Sequence, residues 1–248
     1  MVSMRFALCL ATLALTGCNI DAGSFGEKVH EDFHYSYEMK PGARLTLDSF
    51  NGNVEIDAWD QNKIDISGTK FAPSKEALNL LKIEAHNGGD RMDVRAVRPS
   101  EMHGNAGVRF TIHVPKSVEL DRIGTSNGSV KVNGTAGDAR VRTSNGSIKM
   151  DRVSGGMALQ TSNGSIEVEM VTAPKSDIRA KTSNGSIKVY LPTSSAARVR
   201  ASTSNSSITN DFGLAAESKR HLEGAIGSGG PSIELATSNG SIKIGKSN

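Results

Sequence analysis

The sequence predicts an all-β chain wound as a parallel β-solenoid. Three observations lead there. A short string, TSNGS, returns along the second half of the chain at near-constant spacing. Short stretches of alternating apolar and polar residues flank each copy. The composition, with 26 Gly, 7 Pro and only 4% aromatic residues, suits many tight turns around a core of aliphatic side chains.

The Thr of each copy falls at Thr125, Thr143, Thr161, Thr182, Thr203 and Thr237, at intervals of 18, 18, 21, 21 and 34. A period near 20 is the mark of a solenoid or an array. After each turn comes a short alternating stretch, as in Ile148-Lys149-Met150 and Ile187-Lys188-Val189. Before each turn comes another, as in Ala139-Arg140-Val141-Arg142 and Ile178-Arg179-Ala180-Lys181. Period-two alternation means a strand with one buried face. Two strands and two turns fill one coil.

The turn string then acquires a purpose. Asn-Gly is a strong signal for a turn with positive φ. Left-handed backbone is therefore expected at Asn127-Gly128, Asn145-Gly146, Asn163-Gly164, Asn184-Gly185 and Asn239-Gly240. The flanking Thr and Ser are expected to bond their own backbone around the bend. In stacked coils the Asn side chains would align about 4.8 Å apart and form an amide ladder. The opposite corner varies freely, and its largest insertion spans roughly 211–231. The alternative architecture is an antiparallel meander with Asn-Gly hairpins, which TSNGS also permits.

Residues 125–248 thus form the regular repeats, and 31–124 read as weaker coils with an insertion. A degenerate corner stands at Ser49-Phe50-Asn51-Gly52-Asn53-Val54. Lys75–Leu81 is the one helical stretch in the sequence pattern. Most large rings, among them Phe33, Tyr35, Tyr37, Phe50, Trp59 and Phe71, lie in this half and read as core or cap.

The N-terminus, MVSMRFALCLATLALTGC, reads as an address. Arg5 gives a positive start, and Phe6–Leu15 is an apolar segment of signal-peptide length, too short to remain as a membrane span. Leu15-Thr16-Gly17-Cys18 resembles the lipobox of bacterial lipoproteins. That resemblance implies a signal peptide over 1–17 and lipidation of Cys18, with residues 18–30 as lipidated end and tether. Asn19, where an Asp would favour retention at the inner membrane, points to the outer membrane. The only other cysteine is Cys9, so the folded part can have no disulfide, thiolate metal site or cysteine nucleophile.

The segments VRFTIHVPKSVEL and TSNGSVKV, with the ending HLEGAIGSGGPSIELATSNGSIKIGK, resemble the bacterial "putative adhesin" domain family, a domain of unknown function. The resemblance covers about 40–248. It implies a right-handed, β-helix-like solenoid in the cell envelope and brings no catalytic residues to carry over. The chain departs from the pattern at Asn205-Ser206, where Ser replaces Gly.

A search for chemistry returns little. The six histidines are His30, His34, His86, His103, His113 and His221, and none pairs with another at metal-ligand spacing. There is no GxSxG elbow and no calcium-binding nonapeptide. Asp138 and Asp177 occupy similar corner positions two coils apart, a faint echo of β-helix enzymes that act on anionic polysaccharides. No metal, no cofactor and no enzymatic activity are expected.

Charge is more informative. Residues 19–124 carry 13 Lys/Arg and 17 Asp/Glu, whereas 125–248 carry 15 and 9. Outward positions of the strands before the turn hold Arg122, Arg140, Arg142, Arg179, Lys181 and Arg200. In the column after the turn, Glu167 separates Lys149 from Lys188. In the arginine column only the neutral Ala158/Gln160 level gives relief. Arg140, Arg142, Arg179, Lys181 and Arg200 are therefore the candidate anion-binding residues. Without interleaved aromatics, nucleic acid is not the expected partner. The candidates are the membrane, through the lipid anchor, and an anionic glycan, lipopolysaccharide or another envelope protein.

The expected protein is an adhesin-like interaction or scaffold module. The competing readings are an envelope enzyme acting on polysaccharide and a regulatory partner of an envelope stress system. The anchor is directly testable. Cys18→Ser should move the protein from the membrane fraction to the soluble envelope fraction. Persistence on salt-washed membranes would refute lipidation.

Overall fold

A computed structural model describes residues 28–100, 102 and 105–247. Cys18 and the signal-peptide motif lie outside the described residues. The first strand begins at Val29, so residues 29–30 of the expected tether are already sheet.

The strands follow one another closely. Strands β1 (Val29–Glu38), β2 (Arg44–Asp48), β3 (Val54–Trp59) and β4 (Lys63–Ala72) precede helix α1 (Lys75–Leu80). Then come β5 (Lys82–Asn87), β6 (Arg91–Val97), β7 (Gly107–Pro115), β8 (Glu119–Asn127) and β9 (Val130–Asn133). The regular coils are β10 (Ala139–Asn145) with β11 (Ile148–Val153), β12 (Met157–Gln160) with β13 (Ile166–Met170), and β14 (Ile178–Asn184) with β15 (Ile187–Leu191). The chain ends with β16 (Ala197–Thr203), β17 (Ile208–Asn210), β18 (His221–Ile226), β19 (Ser232–Asn239) and β20 (Ile242–Lys246).

Two ten-stranded sheets result, and each coil gives one strand to each. One runs β1-β4-β7-β3-β9-β11-β13-β15-β20-β17. The other, here the groove sheet, runs β18-β16-β19-β14-β12-β10-β8-β2-β6-β5. The repeat coils pair in parallel, as the solenoid reading expects. Among the described residues, antiparallel strand pairs occur only towards the ends, at β1–β4, β4–β7, β5–β6 and β16–β18.

Chain order and stacking order differ. The coil β6–β7 lies outside β2–β3. At the other end the last coil, β19–β20, is inserted between β14–β15 and β16–β17. The long insertion explains itself: the chain turns back through β18, which covers the free edge of β16, and then fills the interior level. A repeat read in sequence order cannot show this, because each corner copy fits any neighbouring level.

Alternation sets the core. In β10 and β14, buried and exposed residues strictly alternate before the corner. One apolar cluster runs from Leu45 and Leu47 through Val141, Leu159 and Ile178 to Ile244. It crosses position 124, which lies inside β8. Helix α1 covers a small second cluster with Leu78 and Leu81, and the Ser74 hydroxyl caps it by accepting the Ala77 N–H at 3.2 Å. Leu81 itself is extended and ends the helix. Trp59 sits at a corner, stacked on His113 at 5.2 Å, and its indole N–H donates to the Lys63 carbonyl.

The corner string works across levels. Seven asparagines form an unbroken amide ladder in the stacking order Asn51, Asn127, Asn145, Asn163, Asn184, Asn239, Asn205. Each Nδ2 donates to the preceding Oδ1 at 2.7–2.8 Å. The Thr hydroxyls do not bond their own turns. Thr143, Thr161, Thr182, Thr237 and Thr203 each donate to the Gly carbonyl of the preceding level, at 2.8–3.0 Å. The N–H groups of Ser147, Ser165 and Ser186 likewise donate to the Ser hydroxyl one level back, and the Ser129 N–H donates to Asn53 Oδ1.

The expected positive φ is absent from the five repeat glycines. Only Gly52, in the degenerate corner, has one, at 121°. The repeat glycines are needed for closeness instead. A Cβ on Gly146 would stand 2.0 Å from the Gly128 carbonyl oxygen, and one on Gly164 would stand 2.0 Å from that of Gly146. The same carbonyl receives the Thr hydroxyl of the next corner, so it cannot move aside without losing that bond.

Gly164→Ala should therefore cost about 3 kcal/mol, the upper part of the usual range for forced overpacking. Gly42→Ala, at φ +73° with open space around it, should cost only about 1 kcal/mol. Denaturant titration of the two variants checks the order. Equal losses would mean that contact between levels does not decide the corner.

Candidate functional site

The outward face of the groove sheet carries the five predicted basic residues, and its register sorts them into two rows. The first row crosses the strands as Arg140, Ala158, Arg179, Glu234, Arg200 and Glu223. The second crosses them as Gly124, Arg142, Gln160, Lys181, Ala236 and Ser202. All five basic residues line one open groove of about 820 Å³. Ala158 and Gln160, on β12, form its floor between Arg140/Arg142 on one side and Arg179/Lys181 on the other.

The first row is not the unrelieved arginine column that the sequence suggested. Arg179 meets Glu234 at 3.1 Å, because β19 is inserted beside β14. Arg200 meets Glu223 of β18 at 2.9 Å. Arg140 meets Asp121 at 2.9 Å. Asp121 reaches it through a bulge: Leu120 pairs with Ala139 and Ile123 with Val141, so Asp121 and Arg122 both stand opposite Arg140. A bulge of this kind re-aims side chains. Each neutralising carboxylate thus arrives through insertion, antiparallel return or bulge, none of which the repeat pattern reveals.

The second row differs. Among the described residues, neither Arg142 nor Lys181 has a carboxylate within 4.0 Å, and no hydrogen bond engages the side chains of Arg142, Gln160 or Lys181. All three are exposed. The opposite sheet behaves as the sequence indicates, with Glu167 between Lys149 at 3.5 Å and Lys188 at 4.0 Å. There Lys131 binds Glu55 at 2.6 Å, and that hydrogen bond raises the lysine pKa.

Two carboxylates weighed as catalytic candidates are held in corner roles. Asp138 Oδ1 accepts the Gly156 N–H at 2.6 Å, and Asp177 Oδ1 accepts the Ser232 N–H at 2.8 Å. Each ties its corner to the next level. A further cluster escaped the reading of the histidines: Glu217, His221 and Glu223 bring their ligand atoms within 4.8 Å of one another. Glu223 also holds Arg200 there, and a guanidinium on a carboxylate opposes a cation at the same place. Its signal was local: the three lie within seven residues, with Glu217 four before His221 and Glu223 two after it on β18, a spacing that a search for pairs of histidines passes over.

The chain matches the family model described as Toastrack DUF4097 over residues 43–245. No curated protein matches it in sequence. Among solved structures, a "putative cell adhesion protein" from Clostridium sporogenes is 14% identical, with a TM-score of 0.46, over 88% of this chain and all of that one. A "putative adhesin" from Bacteroides fragilis is 11% identical, with a TM-score of 0.37, over 86% and 97% of the two chains. A "putative lipid binding protein" from Parabacteroides distasonis is 15% identical, with a TM-score of 0.29, over 86% and 96%.

The Arg200–Glu223 pair makes the end of the groove sensitive to acid. The Arg200 hydrogen bond lowers the Glu223 pKa in the folded protein. Its stabilising contribution is therefore present above the unfolded value and is lost as pH falls through the folded one, below the usual glutamate pKa of about 4.3. The pair is exposed, so the effect is small and local. Hydrogen exchange in β18 should quicken by a factor of a few at such pH relative to β12. Glu223→Gln should remove the difference; its persistence in that variant would assign the acid effect elsewhere.

Proposed function

The chain belongs to the Toastrack DUF4097 family, a domain family of unknown function, and we propose that it is a non-enzymatic, lipid-anchored module of the cell envelope. In this reading the groove of the second sheet binds an anionic glycan, and the Cys18 anchor holds the body at the outer membrane. The observation that carries the reading is the gathering of Arg140, Arg142, Arg179, Lys181 and Arg200 around one groove, with Arg142 and Lys181 lacking acidic partners.

The mixture of charges favours a glycan over a dense anionic surface. Asp121, Glu234 and Glu223 stand among the arginines. A sheet of phosphates would be repelled by them. The hydroxyls of a sugar can donate to carboxylates and accept from guanidinium groups, so ion pairs in the wall become hydrogen-bonding partners. A binding role also agrees with the commitment of Asp138 and Asp177 to their corners.

Full-length protein in detergent should be retained on immobilised polygalacturonate and not on a neutral glycan. Retention should fall as salt rises, because exposed charges are screened over about 10 Å at 0.1 M and about 3 Å at 1 M. Absence of retention on acidic glycans, or retention indifferent to salt, would refute the reading.

A further inference from the structure

Three neighbouring side chains in the second row form a continuous patch beside the paired arginines. Arg142, Gln160 and Lys181 lie side by side on β10, β12 and β14, in direct register. Among the described residues none has a side-chain partner. The two cations are two strand spacings apart, about 10 Å at the backbone, with a neutral amide between them. Both are long enough to lean over Gln160 onto one group. Immediately beside this trio, in the first row, the order is Arg140, Ala158, Arg179. There both cations are occupied, by Asp121 and Glu234, and the central residue has only a methyl group.

We propose that Arg142, Gln160 and Lys181 form a clamp for one carboxylate of a uronic-acid residue, whose sugar ring lies over Ala158. The proposal rests on the reading of the groove as a glycan site and names the ligand class and its pose. The chemistry divides along the two rows. The second row offers two unneutralised cations and an amide donor, which suit a single small oxyanion. The first row offers two ion pairs facing each other across a gap. That gap is left because β12 carries Ala158 where the flanking strands carry arginine. A hydroxyl-rich ring with one carboxylate at its edge matches both rows. A phosphate-dense ligand matches only the second and meets Asp121 and Glu234 in the first.

Net charge alone would also draw acidic polymers, so the decisive variants leave charge unchanged. The protein is the full chain in detergent, and the probe is a galacturonic-acid octamer, with affinity read by calorimetry. Arg142→Gln and Lys181→Gln should each weaken binding about tenfold, as expected for loss of a charge-assisted hydrogen bond. Lys243→Gln, on the opposite sheet, should change it less than twofold. Gln160→Ala should weaken binding several-fold. Ala158→Leu, which fills the gap from an exposed position, should abolish it with the melting temperature unchanged. The methyl-esterified octamer, inorganic phosphate and the soluble headgroup glycerol phosphate should all bind more weakly than the acid octamer.

Normal binding by Gln160→Ala and Ala158→Leu, with weakening by all three charge variants, would overturn the clamp and leave the groove a diffuse anion surface. Tighter binding of glycerol phosphate, insensitive to Ala158→Leu, would overturn the sugar pose in favour of a phosphate headgroup. Failure of every acidic glycan to bind would remove the clamp and the glycan reading together.

Discussion

Each inner corner carbonyl of the stack is caught between two parts of the next corner. The Gly146 carbonyl accepts the Thr161 hydroxyl at 2.9 Å, while the bare Cα of Gly164 closes on it from the other side. This contact fixes the spacing and register of the two levels. The aligned asparagine amides depend on that register, as do the buried rows of Ile166, Ile187 and Ile242 and the outward rows of charge. The Thr side chains at these corners are buried, and a buried hydroxyl without a partner is costly. The hydroxyl–carbonyl bond therefore satisfies a polar group as well as setting the register.

Because every level presents the same corner, the corners do not prescribe an order. The last coil occupies an interior level between two coils that precede it in the chain. The amide ladder accepts it without a break, Asn239 lying between Asn184 and Asn205. This exchange of neighbours has an electrostatic consequence. It sets Glu234 between Arg179 and Arg200, which consecutive stacking would have left one strand spacing apart. Placing the coil inside the stack converts a repelling column into alternating charge.

The same rearrangement makes the groove selective in principle. With Arg140, Arg179 and Arg200 paired, Arg142 and Lys181 stand as open cations on either side of Gln160. A uniformly basic face would attract any polyanion. A face with two open cations beside two closed pairs discriminates by the placement of charge within the ligand, and that needs a rigid strand register to hold the rows in place. The ladder of corners supplies that rigidity at one edge of the sheet.

The sequence by itself determined the class of fold, the corner repeat, the amide ladder and the shared face of Arg140, Arg142, Arg179, Lys181 and Arg200. All of these follow from local periodicity: alternation decides which side chains face out, and identical strings align when coils stack. It also placed Glu167 between Lys149 and Lys188, since those coils are consecutive in both chain and stack. Tertiary structure alone decided the order of the levels, the carboxylates that close Arg140, Arg179 and Arg200, and the reason for the corner glycines. Asn-Gly suggested a left-handed turn because a local reading sees only the dihedral preferences of one chain. The actual constraint is a carbonyl from another level 2.0 Å from where a Cβ would stand, a contact between residues 18 apart that no local preference encodes.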